Sequence, residues 1–420
     1  MGTKRIAVIG GGAAGFFAAI AAKEVRPEAH VVILEKGNKP LRKVAVSGGG
    51  RCNLTNTFQC VTDEKQVYPR GFRLLKGLFK EFDHHAARQW FESHGVPLVA
   101  QSDHCLFPRS QNATSVVDCL TRTARRLGVD CLTGHHVTRL EVLEQGGFSV
   151  CFSHQASRTF DCVVVATGGS PQSSHYEWLA AAGHNIVTPK PSLFTFEIAD
   201  TDLRALMGTV VEQVAVQIPS SNFRSEGELL VTHWGMSGPA ILRLSAFAAP
   251  WIHQQNFRFP IAVNWIPDVD RATIGQTVMQ AITSQGRKMM GNACPWHLPS
   301  RLWSYMLTKT GIDEQKKWGE AGKKNILRLM ETLTNDRYDV VRKGVFRDEF
   351  VTCGGVDLSE INRGTLESKL IPGLYFAGEV TDVDGITGGF NLQAAWTMGY
   401  MAGRSAARWN LENALLPGMV

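Results

Sequence analysis

Gly10, Gly12 and Gly15 fall in the spacing G-x-G-x-x-G, and an acidic residue, Glu35, follows twenty positions after the last of them. That set serves dinucleotide binding. The first glycine permits a tight turn, the second lets a pyrophosphate approach the backbone, and the third lets a helix pack close to a strand. Ala13 and Ala14 complete the phosphate-binding turn, and Glu35 stands where an acid accepts from an adenosine ribose 2′-hydroxyl. An acid there disfavours a 2′-phosphate, which leaves FAD or NAD. A second donor-rich stretch holds Lys36, Lys43, Ser47, Gly48, Gly49, Gly50, Arg51, Cys52 and Asn53. Read as a loop over 36–56, it can wrap phosphate, ribityl or flavin oxygens with backbone and side-chain donors. Small residues gather at two further places, Thr167-Gly168-Gly169 and Gly378-Glu379, the latter running on to Gly389, Asn391 and Leu392.

These groups need a scaffold that brings strand ends together. The β-branched run at 6–9 reads as a buried parallel strand, followed by an apolar helix to about 25 and a second strand over 31–34. The helix N-terminus offers free N–H groups and a partial positive charge. An amphipathic helix is expected over 74–94, with His84 and His85 on its solvated side, and another over 113–127. Strands follow over 135–140 and 148–152, and Val137 is placed beside an adenine. The run 161–167 is a further buried strand, returning the chain to the dinucleotide at a strand's carboxyl end.

From about residue 191 the texture changes to alternating strands (194–198, 210–218, 228–232 and 257–265), with a helix over 240–248. Residues 268–345 read as mainly helical and polar. The predicted organisation is α/β: a Rossmann-type FAD-binding domain, glutathione-reductase-like, interrupted by a β-barrel-like module with a helical subdomain. The boundaries are 1–190, 191–267, 268–345 and 346–420. The buried strand ending in Gly378-Glu379, then a glycine-rich loop and a helix near Asn391, bring the C-terminus back to the first domain. That return favours FAD over NAD: an acid after the last strand holds the ribityl chain, and the next helix's dipole stabilises negative charge on a reduced ring.

The 41 glycines exceed the roughly 29 expected at about 7% usage. The nine cysteines form no C-x-x-C pair and no zinc spacing, so no metal site is expected. No leader precedes the first strand and no apolar run is long enough for a bilayer, which predicts a cytoplasmic chain without membrane attachment. Net charge is +6, and residues 266–350 carry 14 Lys/Arg against 10 Asp/Glu. There Lys316, Lys317, Lys323 and Lys324 interleave with Trp296, Trp303, Tyr305 and Trp318, offering charge and stacking surfaces to an RNA.

Four motifs together resemble the bacterial BaiN/YhiN-type flavoproteins, described variously as aminoacetone-oxidase-like or NAD(P)/FAD-dependent oxidoreductases. They are Gly10–Gly15 with Glu35, the S-G-G-G-R-C-N at 47–53, the T-H-W-G-M-S-G-P at 232–239, and the G-E-V-T-D-V-D-G-I-T-G-G at 378–389. The resemblance spans nearly the whole chain and implies FAD held at Gly10, Gly12, Gly15, Glu35, Arg51, Glu379 and Asn391. It implies reduction of an activated C=C bond, with uridine in large-subunit ribosomal RNA as the leading substrate, giving dihydrouridine. A small metabolite (an oxo-bile-acid enone or an aminoacetone-like amine) and a flavin-bearing RNA-binding or assembly factor are the other expectations. Hydride leaves flavin N5 for the β-carbon and an acid protonates the α-carbon. Candidates for stabilising enolate charge and supplying the proton are Arg51, Cys52, Asn53, His233 and Asp384, with no single donor singled out. No second G-x-G-x-x-G is present, so NAD(P)H is expected as a transient reductant.

Overall fold

A computed structural model describes residues 3–344 and 351–410. The chain divides into two compact units, residues 1–191 with 351–420, and residues 192–350. The boundary expected at 345–346 lies outside the described residues.

The first unit is built on a five-stranded parallel sheet. Its spatial order is Leu374–Phe376, Cys162–Val165, Arg5–Ile9, His30–Leu34 and Asp130–Leu132. Ile6, Val8, Val31, Ile33, Val163 and Val164 are fully buried, the pattern of strands covered on both faces. The first helix, Ala13–Val25, packs directly on the last, Phe390–Arg408. Two glycines set their separation: a Cβ on Gly399 would sit 2.4 Å from the Ala14 carbonyl oxygen, and one on Gly403 would sit 2.0 Å from that of Ala18. Antiparallel sheets of three strands flank this core, one of Val137–Val142, Phe148–Phe152 and Arg158–Phe160, the other of Thr55–Asn56, Cys105–Pro108 and Leu98–Ala100.

Two readings of this unit are corrected. The helix expected over 74–94 is two helices, Phe72–Leu78 and His84–Ser93, because the Asp83 carboxylate accepts from the Ala86 N–H at 2.8 Å and starts a new N-terminus. His84 is half-buried there, stacked on Phe58 with centroids 4.6 Å apart, rather than solvated. The loop expected over 36–56 contains a helix, Arg42–Gly50, that breaks at Ser47 as Gly48, Gly49 and Gly50 take positive φ.

The second unit is a closed antiparallel barrel with helices. Around the barrel run Phe196–Ile198, Gly235–Ser237, Arg224–Val231, Val210–Gln217, Phe259–Asn264 and Asp336–Lys343, the last pairing back with the first. The helix expected over 240–248 runs from Pro239 to Gln254 and passes through Pro250. Asp336–Lys343, expected within a helical subdomain, is a barrel strand whose alternate residues Asp336, Tyr338 and Val340 point inward. Asp336 is tolerated because Lys309 Nζ (2.7 Å), Trp265 Nε1 (3.0 Å) and the Tyr338 hydroxyl all bond to it. Trp303, Trp318 and Tyr305 are core residues of this unit and Trp296 is half-buried against them, so the expected stacking surface is absent.

Candidate cofactor site

The carboxyl ends of all five parallel strands meet at one edge, where open α/β sheets bind ligands. Strand-like bonds carry the register onward: Gly10 N–H to the Leu34 carbonyl (2.8 Å), Ala166 N–H to Ile9 (2.8 Å), Ala377 N–H to Val165 (2.9 Å) and Glu35 N–H to Leu132 (2.9 Å). The edge therefore gathers the glycine turn, Glu35, Thr167-Gly168 and Gly378-Glu379.

The three glycines of the turn differ. A Cβ on Gly10, which has φ +107°, would meet the Ala166 carbonyl oxygen at 2.4 Å, and one on Gly15 would meet that of Gly10 at 1.9 Å. A Cβ on Gly12 would meet nothing within 4 Å. Gly10 and Gly15 are thus required by the protein's own packing, whereas Gly12 borders open space. The helix beginning at Ala13 has no acid in its first turn and no side-chain cap. Its first N–H groups, at Ala13 and Ala14, have no acceptor within the helix and remain for a phosphate.

Glu35 accepts from Gly11 N–H at 2.8 Å through one oxygen and from Gly37 N–H at 2.6 Å through the other. A carboxylate oxygen has a second lone pair, so both retain capacity for ribose hydroxyls. Gly134 and His135 N–H bond to the Gly37 and Glu35 carbonyls, which brings the strand carrying buried Val137 alongside. The Thr167 hydroxyl is buried without a hydrogen-bond partner, as is Nε2 of His175 behind Gly168. Burial, then Lys36, holds the His175 pKa below its ordinary value. Open space at Gly12, free N–H groups and an orphaned hydroxyl together fit the adenosine diphosphate portion of FAD.

Glu379 accepts from Thr352 N–H (2.8 Å) and from Lys43 Nζ (2.9 Å), so both oxygens and Lys43 are already engaged within the protein. The Ser47 hydroxyl donates to the Val44 carbonyl at 2.8 Å, shaping the turn in which Gly48 packs against Asn53 while Gly49 lies open. The last helix starts at Phe390 with Gly389 as N-cap and no acid in its first turn. Its leading N–H groups, including those of Asn391 and Leu392, point out of the helix start, where developing negative charge is stabilised.

Of the five catalytic candidates, Arg51 is exposed, with its guanidinium 4.5 Å over the Phe107 ring. The Asn53 amide, oriented to satisfy both ends, donates to the Thr55 carbonyl (3.1 Å) and accepts from Gly389 N–H (3.3 Å), tying two loops together. Two readings are corrected. Cys52 is wholly buried and burial pushes its thiol up to about 12, so it meets no substrate. Asp384 is wholly buried and bound through both oxygens by Arg70, so it anchors its loop rather than delivering a proton. The Asn391 side chain holds the Gly385 N–H and carbonyl, both at 2.8 Å, so the group this residue offers a cofactor is its backbone N–H at the helix start. His233 is an exposed residue of the barrel unit, edge-on to Trp234; the helix after it is capped by Gly238 alone.

Sequence reasoning named Thr167 but missed Arg70, whose role comes from Asp384, distant in sequence, and His175, whose burial no local pattern signals. It also missed a cavity of about 510 Å³ in the same unit, lined by Asn56, Phe58, His84 and Arg88 among others. Asn56 Nδ2 donates to the Gly388 carbonyl at 3.1 Å, so this cavity adjoins the start of the last helix. Asp83, His84 and His85 bring possible metal-ligating atoms within 4.8 Å of one another, yet Asp83 is the helix cap and a helix start repels cations. No helix among the described residues is long and apolar enough to cross a membrane.

The family description "HI0933-like protein Rossmann domain" matches residues 4–405. The chain is 30% identical over 408 residues to an Escherichia coli (strain K12) protein named ribosomal RNA dihydrouridine synthase, covering 93% of this chain and 94% of that one. It is 28% identical over 415 residues to a Clostridium scindens protein named 3-dehydro-bile acid delta(4,6)-reductase, covering 96% and 99%. Among solved structures, E. coli quinol fumarate reductase FrdA shares the fold with a TM-score of 0.50 at 16% identity, covering 100% of this chain and 72% of that one.

Proposed function

The chain belongs to the HI0933-like flavoprotein family of FAD-binding oxidoreductases, and from that premise we propose that it reduces the 5,6-double bond of uridine in ribosomal RNA with NAD(P)H as the electron source. The observation that carries a reductase reading is the paired helix starts. One faces the phosphate turn at Gly12 and the other follows Gly389, both without an acid in the first turn. A dinucleotide gripped at one start leaves the other to stabilise negative charge on a reduced ring.

Bound FAD supplies the hydride. The chain's own groups do the rest. Gly12, Ala13 and Ala14 would hold the pyrophosphate, and Glu35 the ribose. Glu379, which accepts from Lys43 and from the Thr352 N–H, fixes the edge of the site. Arg51, exposed and held over Phe107, is the charged candidate left to stabilise enolate oxygen once Cys52 and Asp384 are set aside. The relative named as a ribosomal RNA dihydrouridine synthase, similar over nearly the whole chain, supports uridine as substrate. The relative named as a bile acid reductase supports a second reading, an enone of a small metabolite; both substrates present a C=C bond conjugated to a carbonyl.

The test is anaerobic. Purified protein is reduced by NADPH until the flavin absorbance bleaches, then offered large-subunit rRNA lacking dihydrouridine or a steroidal enone. Reoxidation by the RNA, with dihydrouridine found by mass spectrometry, is expected. Reoxidation by the enone alone would transfer the activity to the second reading, and a colourless protein that takes up no flavin would remove both.

A further inference from the structure

Two segments some thirty residues apart are zipped together in the barrel unit. Met290 N–H donates to the Lys316 carbonyl (2.8 Å), Trp318 N–H to Lys288 (3.1 Å) and Gly319 N–H to Gly286 (3.0 Å), with Met289 and Lys317 bridged antiparallel. The ribbon is pinned from beneath. Met290 and Trp318 are fully buried, Trp318 Nε1 donates to the Ala293 carbonyl (3.1 Å), and Trp303 Nε1 to that of Met290 (2.7 Å). Rigid anchoring of this kind fixes where the ribbon's charged residues stand. Arg287 and Lys288 lie on one segment of it, Lys316 and Lys317 on the other.

The helix Lys323–Asn335 follows at once and adds Lys323, Lys324 and Arg328. Its start goes against local preference. Gly322 caps it without a side-chain bond, two lysines occupy the first turn, and no acid is there, although positive charge at a helix N-terminus is unfavourable. Its free N–H groups and those lysines all suit an anion. Between 286 and 328 the sequence has nine Lys/Arg and three Asp/Glu, a net +6 that equals the formal excess of the entire chain. Among the described residues the ion pairs of this unit use Arg224, Lys309 and Arg342, and none of the seven cations of the strip takes part in them. All but half-buried Lys316 are exposed.

We propose that the ribbon of 286–289 and 316–319, with the head of the helix Lys323–Asn335, is the surface on which the phosphate backbone of a structured RNA docks, an inference that rests on the RNA reading above. A strip of cations on two backbone segments held together by hydrogen bonds can follow a line of phosphates, and it supplies position and affinity rather than sequence readout.

The test uses full-length, FAD-loaded protein and a fluorescein-labelled stem-loop of large-subunit rRNA, with anisotropy read from 50 to 300 mM KCl. Lys316→Glu with Lys317→Glu should weaken binding about tenfold or more at physiological salt. It should also flatten the slope of log K against log [salt] by roughly 1.4–1.8, the share of two phosphate contacts. Lys316→Gln with Lys317→Gln should flatten it in the same direction by less. Arg125→Glu with Arg126→Glu, exposed cations of the other unit, change net charge equally and should leave the slope near wild type. Bleaching of the flavin by NADPH should be unchanged in all of them. Wild-type slope in the Lys316/Lys317 variants, equal loss in the control, or binding of wild type to vesicles containing phosphatidylserine but not to RNA would overturn the proposal. RNA held by this surface without dihydrouridine formation would leave it standing and sink the catalytic reading instead.

Discussion

Replacing Gly12 by Ala separates what the glycine turn does for the protein from what it does for the ligand. At Gly12 an added methyl meets nothing within 4 Å, and the backbone (φ −94°, ψ −167°) is ordinary extended geometry open to any residue. Exchanging glycine for alanine at a helix N-cap costs under about 1 kcal/mol, so the flavin-free protein should unfold in urea almost where wild type does. The ligand sees the same methyl differently. It occupies the space through which a pyrophosphate reaches the backbone N–H groups, and losing one hydrogen bond to a charged oxygen costs about 1.5–3 kcal/mol. That corresponds to a rise in the FAD dissociation constant of roughly 10- to 150-fold. Gly15→Ala should behave in the opposite sense, because its methyl would lie 1.9 Å from the Gly10 carbonyl oxygen. Overpacking of this kind costs about 1–3 kcal/mol in the flavin-free protein itself. The assays are urea unfolding of deflavinated protein and titration with FAD followed by quenching of flavin fluorescence. Wild-type affinity in Gly12→Ala, or apo destabilisation of that variant matching Gly15→Ala, would refute the assignment of the turn to a pyrophosphate.

The same logic applies between the first and last helices: Gly403→Ala should lower the unfolding free energy, measured in urea, by about 1–3 kcal/mol relative to Gly275→Ala, a helical glycine with open space around it. Asp384→Asn leaves the buried Arg70 guanidinium without its counter-charge and should cost about 3–5 kcal/mol by denaturant unfolding. In the native protein burial alone would lower the Arg70 pKa, but Asp384 outweighs it and holds it above the ordinary value. Burial and then His85 hold His84 below its ordinary pKa. The folded state therefore binds its proton less readily than the unfolded chain, and stability that is intact above about pH 6.5 falls as pH drops below it. His84→Gln should flatten that slope. Cys52 should resist a thiol reagent in the native protein while exposed Cys60 reacts, and Cys52→Ser should keep NADPH-driven bleaching of the flavin.

The parallel strands could be read from sequence because strands buried on both faces are continuous β-branched runs, as at Ile6–Ile9 and Val163–Val165. The glycine turn could be read because its requirements are local in sequence. What escaped depended on contacts between distant segments. The apolar face shared by Leu75, Leu78 and Phe82 runs through the break at Asp83, and only a side-chain cap distinguishes one helix from two there. Asp336–Lys343 looks too polar for a barrel strand until Lys309, Trp265 and Tyr338 are seen around Asp336. Gly399 and Gly403 look like weaknesses in a helix until the first helix is laid against them. At the candidate site, the spacing of Cys52 and Asp384 suggested chemistry, while their burial beneath the loops assigns them to scaffolding.

The marriage of the first helix to the last sets a timetable for biosynthesis. At about 5–20 residues per second, roughly 20–80 s separate the emergence of Val25 from that of Arg408. Throughout that wait Phe16, Phe17 and the alanines of the first helix lack their partner surface, and the central sheet lacks its edge strand Leu374–Phe376. The barrel unit, contiguous in sequence and closed on itself, has no such delay. A ribosome-bound nascent chain ending before residue 374 should thus recruit chaperones through its amino-terminal third, and release them only when the C-terminal helix arrives.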